Sequence, residues 1–169
     1  MTPQITPRFT SKAELLKKYP NLIYGQDQTW FAVMTPDKKV CALTLKAVPS
    51  PRSLLKRFSK HFLMESPLAL TFPFTCLLAG TPLQHEVWKA LLQIPKGETW
   101  SYQQLAQHIG KPKAVRAVAN AVAANPISPL IPCHRIIRHN NQLGGYFWGL
   151  PEKIRLLKEE GSLPSHLAV

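Results

Sequence analysis

The chain has 169 residues, 45% of them apolar and 18% charged, with 21 lysines and arginines against 9 carboxylates and a formal net charge of +12. This composition fits a globular protein large enough to bury a core and excludes a disordered chain. The basic balance, with a pI near 9.9, points to an anionic partner such as nucleic acid.

Cys41, Cys76 and Cys133 are widely spaced and include no CxxC pair. That pattern is neither a disulfide framework nor a zinc site, and it suits a reducing compartment. The start, "MTPQITPRFTSK", has no apolar signal core, and the run "PLALTFPFTCLLAG" is too short to span a bilayer. The expectation is an intracellular soluble chain with no membrane partner.

From the N-terminus, "TWFAVMT" and "VCALTL" flank "PDKK" and predict a β-hairpin. "SPRSLLKRFSKHF" predicts a helix, with Ser50 as N-cap, Pro51 at its first position and Leu54, Leu55, Phe58 and Phe62 as its buried stripe. Residues 1–80 thus read as a small α/β domain without evident chemistry. "AGTPL" marks a boundary, and capped helices follow. Thr81, Pro82 and Gln84 form one capping box, ahead of an inner face of Val87, Ala90, Leu91 and Ile94. Ser101 and Gln104 form a second, in a helix that Gly110 ends. In "KAVRAVANAVAAN", Val115, Val118, Ala119 and Val122 are expected to face inward. Arg116, Ala117, Asn120, Ala121 and Ala124 are expected to face out. Two short helices joined by a glycine turn form a helix-turn-helix, and the small outer face suits close approach to DNA.

In "NPISPLIPCHRII", Pro126, Pro129 and Pro132 stiffen the backbone that presents Cys133. A thiol needs a base or a positive charge to act as a nucleophile near neutral pH, and His134 and Arg135 supply both. Adjacent side chains on an extended strand point apart, so His134 can serve Cys133 only if the backbone turns or a water bridges them. A carboxylate commonly orients such a base. Glu159 and Glu160, at the end of "EKIRLLKEEG", are candidates between which periodicity does not choose; Ile154 and Leu157 are expected to bury one side of that helix.

"IPCHRII", "EVWKALLQIPKGETWSYQQLAQHIGKPKAVRAVANAVAANP" and "LGGYFWGLPEKIRLLKEEG" together resemble the O6-alkylguanine-DNA alkyltransferases from near Thr81 to Gly161. The resemblance implies an α+β protein: a small N-terminal domain (1–80) with an RNase H-like sheet, a mostly helical, winged-helix-like C-terminal domain (81–163), and a short tail (164–169). It implies single-use repair of double-stranded DNA, in which Cys133 irreversibly accepts the alkyl group of O6-alkylguanine. His134 takes the thiol proton through a water, Glu160 holds His134, and Tyr146 assists the departing guanine. The helix-turn-helix would enter the minor groove. Arg116 would fill the gap left by the flipped base, Tyr102 would crowd its phosphate, and Gln103, Ala117, Ala121, Asn125 and Arg135 would complete the DNA surface.

The same resemblance implies no metal, no cofactor, and a cytoplasmic monomer (nuclear in a eukaryote), with cooperative assembly on DNA left open. Phe147 and Trp148 stand where some members carry small residues, which predicts a tight pocket favouring methyl adducts. Leu83 replaces a phenylalanine common in that region and should alter packing more than chemistry. The competing readings are a non-catalytic alkylated-base recognition protein, a cysteine hydrolase and a transcription regulator. Cys133 argues against the first, the lack of a recognisable oxyanion hole against the second, and the lack of an effector domain against the third.

Overall fold

The computed structural model describes residues 5–26, 30–45, 62–65 and 73–167. The chain divides into two units: Met1–Thr81 with Pro126–Leu130, and Pro82–Asn125 with Ile131–Val169.

In the first unit, β1 (Ile5–Thr10) leads into α1 (Lys12–Lys18), where Ser11 and Glu14 cap each other reciprocally. β2 (Asn21–Gln26), β3 (Trp30–Met34) and β4 (Val40–Leu45) then form an antiparallel meander, so the hairpin expected at 29–45 is present. β5 (Phe62–Glu65) and β6 (Phe74–Ala79) complete a six-stranded sheet of order β1-β6-β4-β3-β2-β5. The outer additions are parallel: β5 beside β2, and β1 beside β6. Leu22, Ala32, Val33, Val40, Leu43 and Leu78 are fully buried and form this unit's core. Ile127 makes a parallel bridge to Leu43, whose N–H donates to the Pro126 carbonyl at 2.8 Å. Of the helix expected over 50–62, residues 50–61 lie outside the described residues, and Phe62 opens a strand instead.

In the second unit, α2 (Pro82–Leu91) buries Val87, Trp88, Ala90 and Leu91, with Ile94 buried just beyond it. β7 (Trp100–Ser101) runs into α3 (Tyr102–His108) through the expected capping box. Ser101 N–H donates to Gln104 Oε1 at 2.7 Å, and Gln104 N–H donates to Ser101 Oγ at 3.0 Å. Gly110, at φ 70°, turns the chain towards α4 (Val115–Ala123).

The faces of α4 differ from expectation at the alanines: Ala121 is buried, Ala124 half-buried and Ala123 exposed. Ala121 is only 3% exposed, and its carbonyl accepts the Trp88 Nε1–H at 2.9 Å. Val118, Ala121 and Val122 fall on one stripe at helical spacing. The exposed face is therefore Arg116, Ala117, Asn120 and Ala123.

A 3-10 turn at Cys133–Arg135 precedes β8 (Ile136–Ile137), which pairs in parallel with β7. α5 (Leu150–Glu159) then buries Lys153, Leu156 and Leu157, whereas Ile154 is 36% exposed. The inward stripe is thus rotated from the one expected, because a lysine occupies part of it. Beyond α5, Leu163 and Leu167 pack on Ile137, Leu143 and Leu157.

Ser101→Ala removes the cap that starts α3 at Tyr102. It should lower the free energy of unfolding by about 1 kcal/mol in urea titration, with Ser101→Thr retaining most of it.

Candidate functional site

Cys133 sits in the 3-10 turn, 6% exposed, so the backbone does turn at the Cys-His pair rather than splaying it on a strand. Asn125, 3% exposed, donates through Nδ2 to the Ile131 carbonyl at 2.7 Å and to Cys133 Sγ at 3.1 Å. One amide therefore fixes both the backbone leading into the turn and the sulfur itself. The other two thiols are in a different state. Burial pushes Cys41 and Cys76 up to about 12, so neither is a nucleophile near neutral pH.

His134 is 2% exposed, and its Nε2 lies 3.1 Å from Glu160 Oε1. The pair is close but lacks the geometry of a straight hydrogen bond. Nδ1 is buried with no protein partner. Of the two glutamates left open by periodicity, Glu160 turns inward and Glu159 turns outward to Arg155.

Glu160 also accepts two hydrogen bonds from Arg135, Nε to Oε2 at 3.0 Å and Nη2 to Oε1 at 2.8 Å. The third guanidinium nitrogen, Nη1, donates to the Ile94 carbonyl at 2.6 Å. Arg135, expected on the DNA surface, is thus wholly committed inside the unit, and its side chain is 12% exposed. Burial alone would raise the Glu160 pKa; the contacts from His134 and Arg135 outweigh it and bring the carboxyl from 4.5 down to about 2.

Cys133 faces a cavity of about 220 Å³ lined by Tyr102, Val122, Ala123, Asn125, Gly145, Tyr146, Phe147 and Trp148. Its walls come from α3, α4, the stretch after α4, and the loop before α5. Phe147 and Trp148 meet edge to face at 4.6 Å between centroids; Trp148 is buried while Phe147 is 49% exposed. The Tyr102 ring is a wall of this cavity, and its phenol is raised first by burial and then by the nearby Cys133. Arg116, Gln103 and Ala117 lie on the exposed face of the two helices, away from the cavity lining. Arg116 has no charged partner among the described residues.

Sequence reasoning missed Lys153. It is fully buried, and its ammonium donates to the carbonyls of Ile136 at 2.5 Å and Leu143 at 2.6 Å, with the Tyr146 ring 5.9 Å away. Burial brings it from 10.5 to about 8. The usable signal was its place three, four and seven residues before Leu156, Leu157 and Glu160.

Three comparisons bear on this site. The family description "6-O-methylguanine DNA methyltransferase, DNA binding domain" matches residues 82–162. The chain is 56% identical over 91 residues to the bifunctional transcriptional activator/DNA repair enzyme Ada of Escherichia coli, covering 54% of this chain but 25% of that protein. It is 43% identical over 114 residues to a methylated-DNA–protein-cysteine methyltransferase of Salmonella typhimurium, covering 68% of this chain and 66% of the relative. The chain thus spans less than two thirds of the length of either. Among solved structures, the Mycobacterium tuberculosis O6-methylguanine methyltransferase is similar at a TM-score of 0.66 and 32% identity, covering 87% of this chain and 98% of that one. The Mycobacterium tuberculosis OGT solved in complex with DNA is similar at a TM-score of 0.63 and 30% identity, covering 97% of that chain.

The lowered Glu160 pKa carries a stability signature. Its contribution is fully present above the unfolded value of 4.5 and is lost as pH falls through the folded value near 2. Glu160→Gln should destabilise the protein at pH 7 by about 3 kcal/mol, the cost of leaving a buried arginine unpaired. In urea titrations its deficit relative to wild type should shrink between pH 4.5 and 2.

Proposed function

Because the chain belongs to the O6-methylguanine DNA methyltransferase family, we propose that it repairs duplex DNA by moving the alkyl group of O6-alkylguanine, chiefly methyl, onto its own Cys133. The observation that carries this reading is the exposure of one thiol, held by Asn125, to a base-sized cavity backed by the His134–Glu160 pair. At about 220 Å³ the cavity is below the size of sites for larger organic ligands, and its aromatic walls suit a flat ring.

The proposed step is a direct displacement. His134 takes the Cys133 proton through a bridging water at its unpartnered Nδ1, while Glu160 stabilises the imidazolium that results. The sulfur lone pair forms the S–C bond as the C–O6 bond breaks, and those electrons pass to the guanine ring. Tyr146, in the cavity wall, hydrogen-bonds the guanine as it takes up a proton and leaves. The thioether has no route back, so each molecule acts once. None of these steps calls for a metal or an organic cofactor.

The guanine must leave the stack to reach a buried thiol. In this reading the α3–α4 helix-turn-helix, part of a winged-helix-like domain, enters the minor groove. Ala117 and Gln103 face the DNA, Tyr102 both lines the base cavity and crowds the phosphate, and Arg116 fills the vacated space. Asn125 acts from within, on the sulfur. The six-stranded sheet is read as RNase H-like, the repair unit as one protomer, and the site of action as the compartment that holds DNA.

The first test is intact mass after mixing the protein with duplex DNA carrying one O6-methylguanine, followed by peptide mapping. One methyl group on Cys133 and an equal amount of restored guanine are expected, whereas tight lesion binding with unchanged mass would favour a recognition protein. The second test concerns pocket width. Wild type should react with O6-methyl far faster than with O6-benzyl lesions, and Trp148→Ala should raise the benzyl-to-methyl rate ratio by about tenfold, a change worth about 1.4 kcal/mol.

A further inference from the structure

β8 ends at Ile137, and the next residue, Arg138, opens a tight turn. Arg138 N–H donates to the Gln142 carbonyl at 2.8 Å, Asn141 N–H donates to the Arg138 carbonyl at 3.0 Å, and Asn141 takes φ 60°. The turn projects Arg138 back over Gly144. A methyl group placed on the Gly144 Cα would lie 3.4 Å from Arg138 Cγ, 3.7 Å from its Nε and 3.5 Å from Tyr102 Cε2. The arginine stem and the tyrosine ring therefore converge over Gly144, directly before Gly145 and Tyr146 in the cavity wall.

The other two arginines near this site are saturated: Arg135 by Glu160, and Arg155 by Glu152 and Glu159. Arg138 is exposed and has no carboxylate partner among the described residues. Its charge opposes the rise that burial and Cys133 impose on the Tyr102 phenol, and it adds to burial in lowering the pKa of Lys153. An exposed guanidinium beside the cavity wall, with no acid facing it among the described residues, is an arrangement that an incoming anion relieves. A planar guanidinium is also the group best shaped to take two oxygens of a phosphodiester.

We infer that Arg138 is a DNA-binding residue that grips a backbone phosphate of the nucleotide whose base occupies the cavity. This rests on the alkyl-transfer reading above. Tyr102 then meets the phosphate beside a cation rather than alone, and the grip holds the rotated nucleotide at the mouth while Cys133 acts inside.

The test compares two methyl donors in wild type, Arg138→Gln and Arg138→Lys: a duplex with one O6-methylguanine, and the free O6-methylguanine base, which has no phosphate. Methylation of Cys133 is followed by mass. Arg138→Gln should slow the duplex reaction by about tenfold or more, the usual worth of a charge-assisted contact, and leave the free-base reaction within about twofold of wild type. The slope of log rate against log salt on duplex should fall by about 1, with Arg138→Lys recovering part of the rate and most of the slope. Equal losses on both donors would overturn the inference, because Arg138 would then act only through Tyr102 or Lys153. An undiminished duplex rate would overturn it too. Wild type that takes no methyl group from either donor would overturn the alkyl-transfer reading and this one with it, a result distinct from any difference between variants.

Discussion

One buried carboxylate holds the site together. Glu160 receives two hydrogen bonds from Arg135 and a close contact from His134, and Arg135 reaches on to the Ile94 carbonyl. Three stretches distant in sequence are thereby joined: the end of α2, the turn that bears Cys133, and the end of α5. A carboxylate at a helix C-terminus opposes the helix dipole, and burial opposes its charge as well. Its lowered pKa reflects contacts from Arg135 and His134 that outweigh both costs. The position makes sense only as the counterpart of His134 and Arg135, not as a feature of the helix itself.

α5 holds the same turn from its other end. Lys153 lies seven residues before Glu160, two helical turns along one face, and its ammonium ties together the carbonyls of Ile136 and Leu143. The strand leaving the turn is thus pinned by a cation, and the residues within it by an anion. Between the two charges, Leu156 and Leu157 supply the apolar contact. A neutral helix could pack on this surface, but it could not satisfy two backbone carbonyls, a buried guanidinium and an imidazole at once. The cost of desolvating Lys153 is visible in its lowered pKa and is offset by the two hydrogen bonds.

What the sequence revealed follows from the range of each interaction. The α3 cap and the hairpin at 30–45 were legible because their partners lie within a few residues. The second unit's inner faces were legible at Val87, Leu91, Val118 and Val122, where large apolar residues repeat at helical spacing. Ala121 was misread because alanine suits either face, and only the Trp88 indole, 33 residues away, decides which one it takes. Arg135 and Lys153 failed for a related reason. Exposure is the ordinary state of both residue types, and the partners that reverse it lie 25, 17 and 10 residues distant. The choice between Glu159 and Glu160 came from resemblance rather than from periodicity, and the geometry shows why: the two lie on either side of the helix end, facing Arg155 and Arg135.

The remaining question is why Cys133 is so thoroughly enclosed. A thiol at the surface would meet oxidants and adventitious electrophiles, and enclosure limits such events. Here Sγ is reached only through a cavity with aromatic walls, and an amide N–H already occupies one side of the sulfur. An amide N–H interacts more strongly with a thiolate than with a thiol, and this one adds no mobile charge. The same amide is bound to the Ile131 carbonyl, which removes its freedom to follow the sulfur elsewhere. The aromatic walls enclose the sulfur, and its amide contact comes from Asn125, which stands where α4 gives way to the proline-rich segment. The cavity gives the sulfur its open side, and its aromatic walls set the shape that can reach it.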